Sequence, residues 1–366
     1  MRICRVMPSY PTDLQPGIGL AAYELLPHMP DPTLVITKKR AGHPAQVPEH
    51  VRLIRIPYWE VTLGNRRGPE RAIRLALKFT GYMIFWLLSI SYMISFRPQV
   101  THIHTPMPIL HGLFAKYILR NRLYISFHGT DVAATTQSRL LQVLVRKANV
   151  ICIVSEAMRP RLKPIAPRTP ILYTPNGVDS SKFPVGTESR NPTICMVGSL
   201  RWQKDYPTAL AAFALFHERF EDWQLAIVGD GPDRELLEKQ SALLGIGTSV
   251  SFMGRQSRKQ VSTLMMGSRV FMLSSISEGF PKVVLEAAAS GTPIVVTDVG
   301  SCGDIAKSAK GLVVAPQNPE ALAAAITRMA SDPEAWEQAS IQGARTAQDF
   351  NWPITAKILM TSYASG

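Results

Sequence analysis

Short runs of apolar and β-branched residues alternate along the chain with longer stretches in which apolar residues recur at helical spacing. This alternation is typical of α/β proteins, in which a helix returns the chain to a parallel sheet after each strand. The predicted strands of the first half lie at residues 2–7, 33–37, 51–56, 100–104, 123–127, 150–154 and 171–174. Those of the second half lie at residues 193–197, 224–228, 249–253, 270–273, 294–297 and 312–314. The pattern therefore predicts an α/β fold with parallel sheets.

A polar, turn-rich segment without periodicity, residues 176–192, separates the two halves and is typical of a linker. The chain of 366 residues is also long enough for roughly two domains. We therefore predict two Rossmann-like domains, at residues 1–182 and 183–350, with the boundary near Phe183.

The formal net charge of +13 indicates an anionic partner, which is a nucleic acid, a phosphate-bearing ligand or an acidic membrane surface. No nucleic-acid-binding motif occurs, so we expect no nucleic-acid partner. The four cysteines are widely scattered and lack metal-ligand spacing, which favours a reducing compartment and no metal site. The first ten residues lack the apolar core of a signal peptide, so a cytoplasmic location is expected.

Residues 79–96 carry no charge and lie between Lys78 and Arg97. The segment is barely long enough to span a membrane, and a span conflicts with the return of residues 100–104 to the same sheet as residues 2–7. Upstream, Arg67, Arg71, Arg74 and Lys78 form a basic stripe at helical spacing. Residues 67–97 are therefore predicted to contact an anionic membrane surface, on the inner face of the plasma membrane; an ordinary core helix is the first alternative and a true membrane span the second.

The strongest chemical motif occupies residues 274–293, where an apolar strand is followed by a turn and a helix. Pro281 suits the start of that helix, and the amides of residues 282–284 would then be open to a phosphate. Glu278 precedes this phosphate site, whereas Glu286 lies about one turn inside the helix. One carboxylate is thus placed to bind the hydroxyls of a sugar, and the other those of a ribose.

The spacing from Glu278 to Glu286, with Gly-Phe-Pro inside it, resembles the signature of retaining GT-B glycosyltransferases of the family 4 (glycosyl transferases group 1) type. The resemblance implies two Rossmann-like domains with parallel sheets facing across a cleft. It also implies that Glu278 contacts the donor sugar and that Glu286 binds the nucleotide ribose. The terminal segment, residues 351–366, is expected to pack back on the first domain.

Further segments of the second half resemble the same family. In residues 197–208, Lys204 matches the lysine that holds the donor diphosphate, while Ser199 stands where the family has arginine; Arg201 is the candidate substitute. The Gly-Asp-Gly turn at residues 229–231 and the stretch that ends at Arg255 match loops near the nucleotide.

In the first half, Gly17 and Gly19 follow the first strand and resemble the family's glycine loop near the donor phosphate. His128 resembles the family histidine that reaches the donor sugar, and Asp131 is its companion or a helix cap. His102 and His104 alternate on one strand face and are interpreted as structural, or at most as lining the acceptor site, rather than as metal ligands.

The resemblance therefore implies a metal-independent, retaining transfer of a sugar from a nucleotide-sugar, with uridine diphosphate as the commoner carrier. The expected catalytic residues are His128 and Glu278. The expected donor-binding residues are Gly17, Gly19, Arg201, Lys204, Gly229, Gly231, Arg255, Phe280, Pro281, Lys282, Val283 and Glu286.

No cofactor is expected, since the nucleotide-sugar is a substrate. The acceptor is not determined; one hypothesis is a lipid-linked acceptor in cell-envelope polysaccharide or glycolipid synthesis. Two alternatives stay open, a nucleotide-sugar epimerase on the same fold and a membrane-associated nucleotide-sugar-binding protein whose activity has lapsed, as Ser199 permits.

Overall fold

The structure is a computed structural model that describes residues 1–7, 9–12, 19–58, 69–106, 108–186 and 190–365. The chain divides into two compact units. Unit 1 comprises Met1–Thr174 and Ala356–Gly366, and unit 2 comprises Pro175–Thr355.

Unit 1 contains a seven-stranded sheet in which every strand pairing is parallel. Its strands are β1 (Ile3–Met7), β2 (Thr33–Lys38), β3 (Val51–Ile56), β4 (Val100–His104), β5 (Arg122–Phe127), β6 (Val150–Ile153) and β7 (Ile171–Tyr173). The strand order is β3-β2-β1-β4-β5-β6-β7. The order reverses between β1 and β4, and ligands of such sheets bind at the carboxyl ends of the strands at this switch point.

The helices of unit 1 are α1 (Leu20–Leu25), α2 (Pro69–Phe96), α3 (Ile109–Tyr117), α4 (Thr130–Gln137), α5 (Arg139–Val145) and α6 (Arg159–Leu162). The last helix of the chain, α14 (Trp352–Ala364), begins in unit 2 and ends in unit 1. Within the described residues, one helical segment, Ala72–Phe96, has the length and composition to cross a membrane. A stripe of α2 at Gly81, Phe85, Ser89 and Met93 is buried, so this part of the helix packs on the unit.

Unit 2 repeats the arrangement with a six-stranded parallel sheet of order β10-β9-β8-β11-β12-β13. Its strands are β8 (Asn191–Val197), β9 (Gln224–Val228), β10 (Val250–Gly254), β11 (Ser268–Leu273), β12 (Ile294–Thr297) and β13 (Leu312–Val314). Its helices are α7 (Tyr206–His217), α8 (Arg234–Leu243), α9 (Arg258–Gly267), α10 (Lys282–Ala289), α11 (Cys302–Ser308), α12 (Pro319–Ser331) and α13 (Pro333–Asp349). The switch point of this sheet lies between β8 and β11.

The core of unit 2 forms where α7 lies on the sheet. Leu210, Phe213 and Phe216 recur at helical spacing and are fully or almost fully buried, in one cluster with Ile194 and Ile227 of the neighbouring strands. Burial of a phenylalanine contributes about 1.5–3 kcal/mol. This apolar face fixes α7, and with it the loop that precedes α7, against the carboxyl end of β8.

All the predicted strands are confirmed, with ends that differ from the predicted ones by at most two residues. The division between the units, however, follows Thr174 rather than residue 182. Val178 explains the difference, because its N–H donates to the carbonyl of Phe350 (2.8 Å) and it pairs with Asn351. The expected linker thus contributes packed residues to unit 2, including the buried Phe183.

Candidate active site

The switch point of unit 2 brings together two charged side chains that are far apart in the sequence. Lys204 ends a short 3-10 turn after β8, and Glu278 lies in the loop after β11. Lys204 Nζ lies 2.5 Å from Glu278 Oε1, and the side chains are 18% and 12% exposed. Ser275 Oγ donates to the same carboxylate oxygen at 2.7 Å. The sequence predicted Lys204 as a donor-binding residue and Glu278 as a catalytic residue, and the structure places them in direct contact.

Hydrogen bonds between the two loops hold this pair in place. Ser274 Oγ donates to the carbonyls of Lys204 (2.8 Å) and Asp205 (2.9 Å). The N–H of Ile276 donates to the carbonyl of Gln203 at 2.9 Å. Because Ser274 is fully buried, these bonds are shielded from water and fix the position of Lys204 relative to Glu278.

The predicted glycine turn after β9 lies against the loop after β8. Gly229 has φ +143°, and a Cβ at this position would lie 1.8 Å from the carbonyl oxygen of Gly198. A Cβ on Gly231 would lie 2.2 Å from the carbonyl oxygen of Leu200. Both glycines therefore permit close backbone packing within unit 2, and their contact with a donor stays a prediction.

Helix α10 starts beside Glu278, as the motif predicts. Pro281 is its N-cap residue, and no side chain caps the helix. Of the three amides that the sequence analysis expected to be open to phosphate, that of Val284 donates to the carbonyl of Pro281 at 3.1 Å. The Val284 amide is therefore not open to a phosphate, and only the amides of Lys282 and Val283 stay predicted phosphate-binding groups.

Two other residues of the motif have packing contacts. The ring of Phe280 is buried and lies 5.9 Å from that of Phe350, measured between centroids. Lys282 Nζ lies 5.5 Å from the centre of the Trp352 ring. These contacts anchor the start of α10 on the final segment of unit 2.

Glu286 lies one turn into α10, as expected, and is buried to 8% exposure. Its Oε1 is 3.6 Å from Nη2 of Arg258, the first residue of α9. The Arg258 guanidinium also lies over the ring of Phe183. Arg258 was not predicted from the sequence, although the Ser-Arg-Lys-Gln segment that caps α9 marks a helix start there.

The remaining predicted residues of unit 2 are Arg201 and Arg255, and both side chains are exposed. Arg201 precedes the 3-10 turn that carries Lys204, and Arg255 follows β10. Among the residues that the structure describes, none fixes the guanidinium of Arg201 or of Arg255, so the roles of both stay predictions.

In unit 1, the predicted Gly17 lies outside the described residues. Gly19 has φ +73° and precedes α1, where a Cβ would lie 2.4 Å from the carbonyl oxygen of Ser9. This backbone approach requires glycine whatever the function of the loop.

His128 follows β5 and is held by the carboxylate of Asp131 in the first turn of α4. The N–H of His128 donates to both oxygens of that carboxylate (3.0 and 2.9 Å), and the N–H of Gly129 donates to Oδ1 (2.8 Å). Asp131 therefore fixes the backbone of the loop that carries His128, and it is not the N-cap of α4, which is Gly129 without a side-chain cap.

Three histidines are stacked along one face of the unit 1 sheet. The rings of His102 and His104 are 4.7 Å apart, and those of His104 and His128 are 5.6 Å apart. His102 also binds Ser126 Oγ (2.6 Å) and the hydroxyl of Tyr363 from α14. The alternation of His102 and His104 thus places both on one face, as predicted.

Burial is the main cause that lowers the pKa of each stacked histidine. The positive charge of the fully buried Arg5 on β1 lowers the pKa values of His102, His104 and His128 further, while Asp131 raises that of His128. The stack is therefore neutral at physiological pH. Arg5 and Tyr363 were missed in the sequence because their contacts depend on strand and helix pairing.

Two protein-family models match the chain. The model of Glycosyltransferase Family 4 matches residues 23–182. The model of Glycosyl transferases group 1 matches residues 178–346, which include Lys204, Glu278 and Glu286. Together the two models cover residues 23–346, so the chain belongs to the glycosyltransferases of the family 4 (group 1) type. As a family member it is an enzyme, and its two Rossmann-like units are those of the GT-B architecture.

Similar proteins match the chain in sequence or in fold. Glycogen synthase of Mycobacterium tuberculosis (strain CDC 1551 / Oshkosh) is 25% identical to the glycosyltransferase over 281 residues, which are 72% of this chain and 67% of that protein. Sucrose-phosphate synthase from Thermosynechococcus elongatus has the same fold, with a TM-score of 0.81 and 20% identity, covering 99% of this chain and 98% of that one. Anabaena HepE in complex with UDP gives a TM-score of 0.77 at 17% identity, with both chains covered in full.

Proposed function

We propose that this glycosyltransferase moves a sugar from a UDP-sugar to an acceptor with retention of anomeric configuration. The bond between the anomeric carbon and the β-phosphate oxygen breaks, and UDP leaves with the pair of electrons. An acceptor hydroxyl oxygen forms the new bond to the same face of the anomeric carbon, and its proton passes to the departing β-phosphate oxygen. The observation that carries the proposal is the contact between Lys204 and Glu278 at the switch point of unit 2, beside the start of α10.

Each part of this arrangement suits one part of the donor. The cation of Lys204 and the positive end of α10 would stabilise the negative charge that develops on the diphosphate. Glu278 would accept hydrogen bonds from the sugar hydroxyls, and Glu286 would accept them from the ribose. We propose that these groups supply the charge stabilisation without a bound metal and that the enzyme has no resident cofactor.

The choice of uridine diphosphate has support from a structural relative, because HepE is a protein of the same fold in complex with UDP. The resemblance assigns His128 of unit 1 to the donor sugar. Because burial lowers the pKa of His128, its ring is neutral and would donate or accept a hydrogen bond without adding charge. The proposed acceptor is a sugar of a cell-envelope polysaccharide or glycolipid.

Nucleotide release tests the proposal. The purified protein is incubated with a panel of UDP- and GDP-sugars, and released nucleotide is measured for wild type and for Glu278→Ala. We expect release from one UDP-sugar in the wild type and a loss of at least about 100-fold in the variant, as for removal of one stabilising group in a transition state. A chelator should leave the wild-type rate unchanged.

Glu235→Ala is the matched control, since Glu235 lies on the exposed surface of α8 in an ion pair with Lys239. Its rate should equal that of wild type. A panel in which no UDP-sugar is hydrolysed and none raises the melting temperature would contradict the proposal and favour a protein whose activity has lapsed. If nucleotide were released from a GDP-sugar and from no UDP-sugar, the carrier would be guanosine diphosphate instead of uridine diphosphate.

A further inference from the structure

Helix α2 exposes an apolar face opposite its buried stripe. Leu87, Leu88 and Ile94 are 56%, 47% and 50% exposed. Large apolar side chains that are exposed together on one helix mark a contact surface more often than isolated ones do. The helix rises about 1.5 Å per residue, so its 28 residues present a face about 40 Å long.

This face continues on the neighbouring helices of unit 1. The chain crosses from β3 to β4, from β4 to β5 and from β5 to β6, each time in the same direction along the sheet. Because such crossovers are right-handed, the helices α2, α3 and α5 that lie within them are on the same side of the sheet. Helix α2 contacts α3, and α3 contacts α5. Ile118, just after α3, is 67% exposed, and Leu140 on α5 is 68% exposed. We call the exposed side of these three helices the α2–α3–α5 face.

The charge of this part of the chain has one sign. Residues 71–130 contain no Asp or Glu, although the chain as a whole has 27 of them among 366 residues. The next acidic residue, Asp131, is bound to the amides of His128 and Gly129. Arg97, Arg120 and Arg139, at the ends of α2, α3 and α5, are exposed. The α2–α3–α5 face therefore combines apolar side chains with a positive rim.

We propose that the α2–α3–α5 face docks on the surface of an anionic lipid bilayer. Apolar side chains that enter the headgroup region and Arg side chains at its edge are the features of interfacial helices. The buried stripe from Gly81 to Met93 packs α2 on its own unit, so the helix lies on the bilayer rather than across it. The enzyme would then act at the inner face of the plasma membrane, and the inference does not depend on the identity of the sugar donor.

Vesicle sedimentation tests the proposal with the full chain. The probes are vesicles of pure phosphatidylcholine and vesicles with one third phosphatidylglycerol, at low and at high salt. Wild type should bind the anionic vesicles at low salt and leave them at high salt. Leu87→Asp/Leu88→Asp and Arg120→Glu/Arg139→Glu should each weaken binding by at least about tenfold, because each removes part of the apolar or electrostatic attraction.

Matched controls lie on unit 2. Leu236→Asp/Leu243→Asp changes two α8 leucines that are 64% and 88% exposed, and Arg219→Glu/Arg328→Glu reverses two exposed charges. Both controls should bind as wild type does, and circular dichroism should show all four variants folded. The proposal is overturned if wild type ignores anionic vesicles, or if the controls lose binding equally. It is also overturned if wild type is a dimer that Leu87→Asp/Leu88→Asp converts to monomers without any effect of lipid, since a second copy then covers the face.

Discussion

Replacing Glu278 with Gln should strengthen the binding of UDP and at the same time abolish sugar transfer. In the structure, Lys204 Nζ is 2.5 Å from the Glu278 carboxylate. The same ammonium group is the one that we propose for the donor diphosphate. UDP must therefore compete with Glu278 for Lys204 and place its own negative charge beside that carboxylate.

The magnitude follows from the burial of the pair. Both side chains are less than one-fifth exposed, so water screens them less than it screens a surface pair. A hydrogen bond between charged groups contributes roughly 1.5–3 kcal/mol. If the lower figure is regained when the carboxylate becomes an amide, the Kd of UDP falls about tenfold.

The amide is a close match in shape, because its oxygen still accepts the hydrogen bond that Ser275 Oγ donates to Glu278 (2.7 Å). Lys204→Met removes the cation itself and should weaken UDP binding by about tenfold or more. Glu278→Gln and Lys204→Met each remove one charge of the same ion pair, and they are thus expected to change the affinity for UDP in opposite directions.

Calorimetric titration with UDP measures both effects, and the double variant completes a mutant cycle. The control is Glu235→Gln, whose partner Lys239 is 2.8 Å away in an ion pair that is 70% and 82% exposed. Its Kd for UDP should equal that of wild type. If Glu278→Gln weakened UDP binding as much as Lys204→Met does, the pair would be a structural unit and the competition argument would be refuted.

Two further predictions concern stability. Burial lowers the pKa of His111 from 6.5 to about 3, so the unfolded chain binds more protons and stability falls as the pH drops below 6.5. Through His111, the free energy of unfolding should fall by about 1.4 kcal/mol from pH 7.5 to pH 5.5, and this fall should be absent in His111→Leu when both proteins are unfolded in urea. If the variant showed the same pH dependence as wild type, His111 would not be its cause. Gly229→Ala should destabilise unit 2 by about 3 kcal/mol or more, because of φ +143° and the contact with Gly198. Gly267→Ala, where a Cβ meets nothing within 4 Å, should change the melting temperature little, and equal losses in the two variants would refute the steric account.

The strands could be predicted because each depends on a local pattern. Parallel strands buried on both faces are continuous apolar runs, and turn residues mark their ends. The position of the division between the units was harder to predict from the sequence, because the polar segment after Thr174 has the composition of a linker. Its attachment depends on the hydrogen bond from Val178 to Phe350 and on the pairing of Val178 with Asn351, and both partners are remote in sequence.

The sequence by itself determined the alternation of strands and helices, and it placed Glu278 and Glu286 on either side of one helix start. These features depend on residues within a few positions of one another, so propensity and spacing are sufficient to define them. Only the tertiary structure decided that Lys204 meets Glu278, that Arg258 meets Glu286 and that Arg5 pairs with His102 on the neighbouring strand. Each of these contacts joins residues from different strands or helices, and strand order and packing, which no local pattern encodes, bring them together.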